Sequence, residues 1–290
     1  MSTWYLGPLG DLRPLVCPET DVTINPVRYG GVHQGLSGAR IMDVTGHRDE
    51  YELEFRFLDR DEFEWVELLH TRMVPGPHLM INPLKKNRLS LQASKLIVTP
   101  YGKAGVRAPL GARYGLPSSP PTALGYRGRS VFVGDWTDPN PRVTFDPGKY
   151  IPVLPGERLT GSVYLSSSFG NITGSTLRFE WFDASRAPVS GTPASTSSTF
   201  NVTDGAWSRA TFTNVQPPAG AVACRFSIGV GTLADPDDTT LAIAAPQVEV
   251  GASATDFEVG CAAPEVLIDQ IKTTSPRFPY RDVTLTLMEA

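Results

Sequence analysis

The segment Tyr51–His70, YELEFRFLDRDEFEWVELLH, joins two patterns that together decide the fold. Apolar and charged residues alternate from Tyr51 to Phe57, which is the period of a strand with one face in solvent. An acid-rich turn ends the alternation, and the apolar residues after it have the spacing of a short helix. Asp59 or Asp61 is positioned to cap this helix, since each precedes a glutamate by three residues. The segment therefore predicts a strand that leads into a helix over about residues 60–71.

Most of the remaining chain is typical of short strands and turns. Glycine and proline account for 27 and 26 of the 290 residues, which is above average usage. Between residues 135 and 262, strand-like stretches alternate with turn signals at intervals of about ten residues, the pattern of an antiparallel jelly roll. Residues 282–288 alternate like Tyr51–Phe57, so we expect the last strand to pair with that strand.

These patterns predict a mainly β fold with two structural parts. The first is a β-sandwich with one short helix, built from residues 1–91 plus 263–290. The second is an inserted antiparallel jelly-roll β-sandwich over residues 135–262. Residues 92–134 are basic and rich in proline, glycine and serine, and we interpret them as a connection between the two parts.

Charge is segregated along the chain. Residues 68–134 contain ten basic residues and no acidic residue, whereas residues 1–67 contain six basic and thirteen acidic residues. The basic segment fits either a surface that contacts an acidic neighbour or a solvated loop. Specific nucleic-acid binding is not expected, since the segment lacks interleaved aromatic residues and a helix for a groove. A head-to-tail contact between copies would pair the two segments. The candidate residues for that contact are Glu52, Glu54, Lys85, Lys86 and Arg88.

Several classes of protein are disfavoured by what the sequence lacks. No run of about 18 apolar residues is present, so we expect no membrane span. The N-terminus MSTWYLGPLGDL has neither a basic start nor an apolar core, so we expect no signal peptide. Cys17, Cys224 and Cys261 are far apart and odd in number, which favours buried thiols in a reducing cytoplasm over disulfides or zinc.

The sequence also lacks the patterns of common active sites. Glu180 and Asp183 are an acidic pair in the middle part, but their spacing does not put both carboxylates on one face for glycoside hydrolysis. No HExxH, GxSxG, P-loop or dinucleotide-binding glycine pattern is present. The turn Asp235–Asp238 fits either a solvated turn or a calcium site. We therefore expect a protein that is not an enzyme and that holds no cofactor.

Three stretches together resemble the distal tail and minor tail proteins of long-tailed, siphovirus-type phages that infect actinobacteria. They are GLSGARIMDVTGHRDEYELEFRFLDRDEFEWVELLH (35–70), PGPHLMINPLKKNRLS (75–90) and RDVTLTLMEA (281–290). The second stretch departs from the Asn-Leu-Leu pattern of such proteins, because Arg88 precedes the leucine.

In these tail proteins the outer domain resembles a β-sandwich flanked by a helix, and six copies commonly form a ring that continues the tail tube. The resemblance therefore implies a virion protein of the tail tip or baseplate, assembled in the host cytoplasm. The partners that it implies are further copies of the chain, the tail tube protein and other tail-tip proteins.

The middle part resembles the carbohydrate-binding jelly rolls that are inserted into phage tail proteins. The resemblance is carried by STLRFEWFDASRAPV (175–189), DGAWSRATFTNVQPPAGAVACRFSIGV (204–230) and APQVEVGASATDFEVG (245–260). It implies binding of a host cell-wall glycan during adsorption. The alternative is a soluble carbohydrate-binding protein or accessory module without a virion role. A wall hydrolase is disfavoured by the missing acid pair.

Strand parity selects the candidate residues for glycan binding. A sugar site needs aromatic platforms with polar groups beside them. In TLRFEWFD (176–183), Leu177, Phe179 and Trp181 fall on one face and are predicted to be core, which leaves the intervening residues exposed. The residues predicted to share one open face are Tyr164, Arg178, Glu180, Phe182 and Arg225. An ordinary solvated sheet face with scattered aromatic residues is the alternative.

Overall fold

The structure is a computed structural model of the chain. It describes residues 3–16, 18, 22–34, 38–42, 46–96, 105–109, 112–115, 121, 128–136, 141–189, 195–235 and 237–290. The described strands are β1 (Trp4–Gly7), β2 (Arg13–Leu15), β3 (Thr23–Tyr29), β4 (Val32–Gln34), β5 (Arg40–Met42), β6 (Gly46–Leu58), β7 (His78–Ile81), β8 (Val106–Arg107), β9 (Arg113–Gly115), β10 (Ser130–Gly134), β11 (Arg142–Phe145), β12 (Ile151–Pro152), β13 (Leu159–Ser168), β14 (Ile172–Phe182), β15 (Ser195–Val202), β16 (Ser208–Val215), β17 (Ala223–Gly229), β18 (Thr232–Leu233), β19 (Thr240–Val250), β20 (Glu265–Arg277) and β21 (Tyr280–Glu289). The described helices are α1 (Arg60–His70) and α2 (Leu91–Ser94).

The predicted mainly β fold is confirmed, and the chain divides into two compact units. The outer unit consists of residues 1–83 and 264–290, and the inserted unit consists of residues 84–263. Neither described helix is long and apolar enough to cross a membrane.

The outer unit contains one seven-stranded antiparallel sheet in the order β2-β1-β7-β20-β21-β6-β3. The last strand pairs with β6 and places Leu285 opposite Leu53, so the predicted return of the chain end to this sheet is confirmed. Strands β4 and β5 form a separate two-stranded sheet. Helix α1 buries Phe63, Trp65, Val66 and Leu69 in the core that it shares with the seven-stranded sheet.

Helix α1 begins where the sequence predicts and is capped by Asp59. The Asp59 carboxylate accepts a hydrogen bond from the backbone N–H of Glu62 at 2.9 Å, and the Glu62 carboxylate accepts one from the N–H of Asp59 at 3.3 Å. This reciprocal pair satisfies backbone donors that a helix start leaves open. Trp65 donates its indole N–H to the carbonyl oxygen of Leu6 at 2.9 Å, which ties the helix to β1.

The alternation of β6 is interrupted at its end, where Phe57 lies on the opposite side of the strand from the side that was predicted. Tyr51, Leu53 and Phe55 are buried, but Phe57 is half exposed and Leu58 takes the buried position. The pairing with β21 shifts register here, and Phe57 has a φ of 57°. A bulge of this kind reverses the side-chain alternation, which a strict period of two cannot anticipate.

The inserted unit consists of two antiparallel sheets that enclose one core. The sheet that we call the β13 sheet has the order β16-β13-β19-β10-β9, and the β14 sheet has the order β15-β14-β17-β11-β8. The two-residue strands β12 and β18 add to the β14 sheet beside β17 and β14. The other eight strands from β10 to β19 alternate between the two sheets along the chain, except at the β14–β15 hairpin, which stays in one sheet. This order is that of an eight-stranded jelly roll with two Greek keys. Its core contains the aromatic side chains of Phe145, Phe179, Trp181 and Phe226.

The predicted boundaries of the inserted unit are wrong. The unit begins at residue 84 rather than 135, and residues 92–134 do not serve only as a connection. Strand β10 lies inside the β13 sheet, and its residues Val131 and Val133 are buried in the core together with Val106 of β8. These strands are short and lie among glycines and prolines, so their alternation is too brief to stand out in the sequence.

The entry and exit of the inserted unit are held side by side by Asn87, whose side chain is fully buried. Its amide nitrogen donates to the carbonyl oxygens of Pro246 and Glu258 at 3.1 and 2.9 Å. Its amide oxygen accepts from the backbone N–H groups of Leu89 and Val248, both at 3.1 Å. One asparagine therefore uses both of its polar atoms to join the first residues of the unit to its last strand and exit.

Candidate functional site

Four of the five residues predicted to bind glycan lie on the outward face of the β14 sheet. Leu177, Phe179 and Trp181 of β14 are fully buried, which confirms the predicted parity. The alternate residues Arg178, Glu180 and Phe182 consequently lie on the other face of the strand. Arg225 of β17 lies directly opposite Glu180 in the β14–β17 register, so it belongs to the same face. We call this surface the β14 face.

Tyr164 does not belong to the β14 face, which corrects the prediction that all five residues share one surface. It lies on β13, in the other sheet of the sandwich, where it packs against the Ala244–Ala245 cluster, as Trp207 and Phe257 do. The guanidinium of Arg209 lies 5.4 Å from the centroid of its ring. Strand parity assigns a residue to one side of its own strand, but it does not say which sheet the strand joins.

The exit segment covers the part of the β13 sheet that carries Tyr164. Thr255 donates its backbone N–H and its hydroxyl to the two carboxylate oxygens of Glu249, at 2.9 and 2.6 Å. Arg209 donates to the carbonyl oxygen of Thr255 at 2.6 Å and to the hydroxyl of Ser162 at 2.9 Å. The Ala-Thr-Asp-Phe stretch near the end of the unit thus has a structural role, because it anchors the segment that brings Phe257 against the Ala244–Ala245 cluster.

An aromatic pair forms one end of the β14 face. The rings of Tyr150 and Phe182 meet edge to face with their centroids 5.0 Å apart. The guanidinium of Arg225 lies 4.5 Å from the Tyr150 centroid and 4.9 Å from that of Phe182, a cation–π geometry. Phe182 is only 7% exposed, so the prediction that it is an exposed platform is wrong. Tyr150 is half-buried and offers the accessible aromatic surface beside it.

Charged side chains surround Glu180 at the centre of the face. Arg142 of β11 donates a hydrogen bond from Nη1 to the Glu180 carboxylate, and Nε of Arg178 lies 3.8 Å from the same oxygen. These side chains are partly exposed, with relative exposures of 40% for Arg142, 33% for Arg178 and 23% for Glu180. The group therefore borders solvent, and its ion pairs contribute little to stability.

Sequence reasoning missed Arg142 and Tyr150. The stretch RVTF (142–145) alternates, and Val143 and Phe145 are fully buried, so parity places Arg142 outward. This signal was available, but the strand is only four residues long. Tyr150 precedes the two-residue strand β12, where no periodicity exists, and only the tertiary structure brings it to Phe182.

Three polar atoms on the β14 face make no hydrogen bond with any residue that the structure describes. They are Nε of Arg178, Nε of Arg225 and the hydroxyl oxygen of Ser227. Ser227 lies opposite Arg178 in the β14–β17 register and is 1% exposed. Buried polar groups are normally hydrogen-bonded in native proteins, so unsatisfied ones require an explanation.

A turn beside the face is held by Asp183. Its carboxylate accepts hydrogen bonds from the hydroxyl of Ser185 at 2.6 Å and from the N–H groups of Ala187 and Ser185 at 3.0 and 2.9 Å. The hydrogen bond from the Ser185 hydroxyl, followed by that from Ala187, lowers the pKa of Asp183. The turn places Arg186 5.5 Å from the Tyr150 centroid. Asp183 therefore stabilises the turn.

The residues predicted for a contact between copies lie in different environments. Glu52 and Glu54 lie on the more exposed side of β6, which is an inner strand of its sheet rather than an edge. Lys86 is exposed and Lys85 is half-buried. Arg88 is 6% exposed and is bound by Glu157 at 2.6 Å through both carboxylate oxygens, so its prediction as an interface residue is wrong.

The remaining candidate sites have structural explanations. In the Asp235–Asp238 turn, the Asp235 carboxylate accepts from the N–H of Asp237 at 3.0 Å, which closes the turn on itself. Cys224 and Cys261 are buried and are not joined in a disulfide, and burial raises the pKa of the Cys224 thiol. Cys17 and the proline of the acidic turn lie outside the described residues.

Comparisons with known proteins give structural likeness but no relatives by sequence. No protein-family model matches the chain, and a search of curated proteins gives no match. Similar solved structures include the CBM22-1 xylan-binding domain from Paenibacillus barcinonensis Xyn10C, with 13% sequence identity and a TM-score of 0.38 over 58% of this chain and 96% of that one. Another is the C-terminal family 22 carbohydrate binding module of Clostridium thermocellum Xyn10B, with 15% identity and a TM-score of 0.36 over 52% and 89%. At these TM-scores, the jelly-roll assignment rests on the strand order described above.

Proposed function

We propose that the chain is a structural protein of a phage tail tip and that its inserted jelly roll binds a host-surface glycan through the β14 face. The observation that carries the binding proposal is the aromatic pair Tyr150–Phe182, which stands beside the charged group around Glu180. Sugar sites combine an aromatic surface with a few convergent polar groups. The β14 face provides both on one partly exposed surface.

Each part of the face has a distinct role in this proposal. The half-buried Tyr150 ring stacks on the apolar face of a sugar, and Phe182 supports that ring from below the surface. The carboxylate of Glu180 accepts hydrogen bonds from sugar hydroxyls, and the guanidinium groups of Arg142 and Arg178 donate to them. A single shallow site of this kind binds weakly, because its few contacts must offset the cost of immobilising the sugar.

The tail-tip role is supported by the organisation of the outer unit. Both ends of the chain contribute to one sheet, and the jelly roll is inserted between β7 and β20. The stretches that resemble tail proteins belong to this sheet, to α1 and to the segment that enters the inserted unit. At the end of the β20–β21 hairpin the side chains of Phe57, Phe278 and Tyr280 are exposed, with Phe278 91% exposed. These aromatic residues provide apolar surface for assembly with further copies or with tail proteins.

Assembly into a ring would also make weak glycan-binding sites effective. Several copies in one ring can engage the same wall at once, and such multivalency raises avidity by roughly 10² to 10⁴. A soluble carbohydrate-binding protein remains the alternative, and it is distinguished by its mass and by its absence from the virion.

Removal of the Tyr150 ring tests the binding proposal. We expect Tyr150→Ala to weaken adsorption of the full chain to purified host cell walls by about tenfold, because central tyrosines commonly contribute more than about 1 kcal/mol to binding. Tyr164→Ala is the matched control, since it makes the same change on the β13 sheet. We expect this control to lower thermal stability while adsorption of the folded protein is retained. If Tyr150→Ala adsorbs as strongly as the unchanged protein, the jelly roll acts as a spacer rather than as a glycan-binding domain.

Reversal of charge tests assembly. We expect native mass spectrometry to show a closed ring, with six copies if the resemblance to tail proteins holds. Changing Glu52 and Glu54 to lysine should weaken the ring, and the further changes Lys85→Glu and Lys86→Glu should restore it, because charge complementarity selects the partner and register. Exposed charges are screened beyond about 8 Å at physiological salt, so apolar contact must supply most of the association. A chain that stays monomeric at high concentration and in the virion contradicts the proposal.

A further inference from the structure

We propose that the glycan bound by the β14 face is anionic, and that its carboxylate or phosphate group is held between Arg178 and Arg225 above Ser227. This inference rests on the proposed glycan binding and specifies the class of glycan. It starts from the charge of the face. The outward positions of β11, β14 and β17 carry three guanidinium groups, Arg142, Arg178 and Arg225, and one carboxylate, Glu180.

Glu180 does not neutralise the three guanidinium groups. Arg142 forms the hydrogen bond to its carboxylate, and Arg178 is near the same oxygen but too distant, at 3.8 Å, for a hydrogen bond. Arg225 contacts the faces of Tyr150 and Phe182, and it forms no hydrogen bond through Nε in the described part of the chain. The face therefore has an excess of two positive charges, because three guanidinium groups share one carboxylate.

Three of the seven unsatisfied buried polar atoms among the described residues lie where this excess charge lies. Nε of Arg178, Nε of Arg225 and the hydroxyl of Ser227 are all buried donors, and none has a hydrogen-bond partner among the described residues. Ser227 lies across the β14–β17 register from Arg178 and two residues along β17 from Arg225. Unpaired donors at neighbouring positions of one sheet face fit an acceptor that belongs to a bound molecule.

The chemistry of the donors selects an anion over a neutral sugar. A guanidinium group presents N–H donors in a rigid planar fork that matches the two oxygens of a carboxylate or phosphate. A neutral hydroxyl offers no negative charge to balance the excess positive charge of the face. The cation–π contacts of Arg225 also hold its planar group in a fixed orientation, so less freedom is lost when it binds. Uronic acids and phosphodiester-linked wall polymers both carry such an anionic group.

Binding of defined polymers to the full chain tests the inference. The probes are polygalacturonate as the carboxylate polymer, poly(glycerol phosphate) as the phosphate polymer and xylan as the neutral one. We expect one or both anionic polymers to bind at least about tenfold more tightly than xylan, and to lose affinity when NaCl is raised from about 50 to about 300 mM. The anionic polymer that binds more tightly shows whether the β14 face prefers a carboxylate or a phosphate group.

Variants distinguish a built site from general attraction to positive charge. Arg178→Gln and Arg225→Gln should each weaken anionic binding about tenfold, since each removes charge-assisted hydrogen bonds. Arg158→Gln is the matched control, because Arg158 is exposed and contacts Asn214 and Gln216 rather than the β14 face. Thermal melting of each variant verifies that it is folded.

The outcomes separate the inference from the proposed function. Equal losses in Arg158→Gln and Arg178→Gln would mean nonspecific attraction and would overturn the inference. Xylan binding that equals anionic binding and survives Arg178→Gln would overturn it too, while glycan binding by the face would stand. Failure to bind any of the polymers or purified host walls would refute the proposed glycan binding and, with it, this inference.

Discussion

Removal of residues 280–290 is expected to unfold the outer unit while the inserted unit stays folded. Strand β21 lies between β20 and β6, so its deletion removes one of the two neighbours of each strand and divides the sheet. It also removes Val283, Leu285 and Leu287, which are at most 2% exposed. Burial of such side chains contributes about 1.5–3 kcal/mol each, and their sum is comparable to the 5–15 kcal/mol by which whole domains are stable. Hydrogen exchange resolved by residue should show loss of protection only in residues 3–83 and 264–279.

Two fragments provide the control for this deletion. Residues 84–263 contain both sheets and the core of the jelly roll, so we expect this fragment to fold alone and to melt cooperatively. Residues 135–262 are the unit that sequence patterns alone predicted, and we expect that fragment to be unfolded because it lacks β8, β9 and β10. A folded 135–262 fragment, or loss of protection throughout the chain after the deletion, would contradict the observed division into units.

The second large effect is expected from Arg88→Ala. The Arg88 side chain is 5% exposed and that of Glu157 is 16% exposed, and the two are joined at 2.6 Å. Arg88 also donates to the carbonyl oxygen of Pro152 at 2.8 Å. Loss of the arginine leaves the Glu157 carboxylate buried without its counter-charge, which typically destabilises a protein by about 3–5 kcal/mol. Denaturant unfolding of the inserted unit should show this loss as a lower midpoint with an unchanged slope.

A double substitution identifies the cause of that loss. Arg88→Met together with Glu157→Leu removes both charges and keeps apolar volume, so it should recover most of the stability that Arg88→Ala loses. Arg60→Ala is a matched control, because its ion pair with Glu64 is exposed and should contribute well under about 1 kcal/mol. If the double variant is no more stable than Arg88→Ala, the destabilisation does not come from an unpaired carboxylate.

Local patterns predicted the parts of the fold that local physics determines. The alternation of β6, the Asp59 capping box and the buried side of β14 follow from side-chain periodicity and helix-end chemistry, both of which act within a few residues. The pairing of β21 with β6 was also predictable, because both strands have one apolar face to bury.

Other features depend on tertiary contacts that the sequence does not display locally. Tyr164 and Arg178 have the same outward parity, yet they lie on different sheets, and only the order of the strands decides this. Arg88 stands in a basic run that is typical of solvated surface, and its burial requires Glu157 from a distant turn. Four of the five predicted residues therefore lie on the β14 face. Arg142 has a parity signal in a strand of only four residues and Tyr150 has none, so both were identified only in the assembled structure.

The side-by-side entry and exit of the jelly roll bear on how such a protein evolves. In the outer unit the cut ends also lie on paired strands, since the N–H of Met80 donates to the carbonyl oxygen of Pro264 at 3.0 Å. A folded insert whose ends meet closes this gap like a short turn, whereas a flexible loop costs about 0.6 kcal/mol more for each doubling of its length. We therefore expect the outer sheet to tolerate any folded insert whose two ends lie close together. In a tail protein of the proposed kind, recombination at residues 83 and 264 could exchange one receptor-recognition module for another, and so change host range, without disturbing the register of the outer sheet.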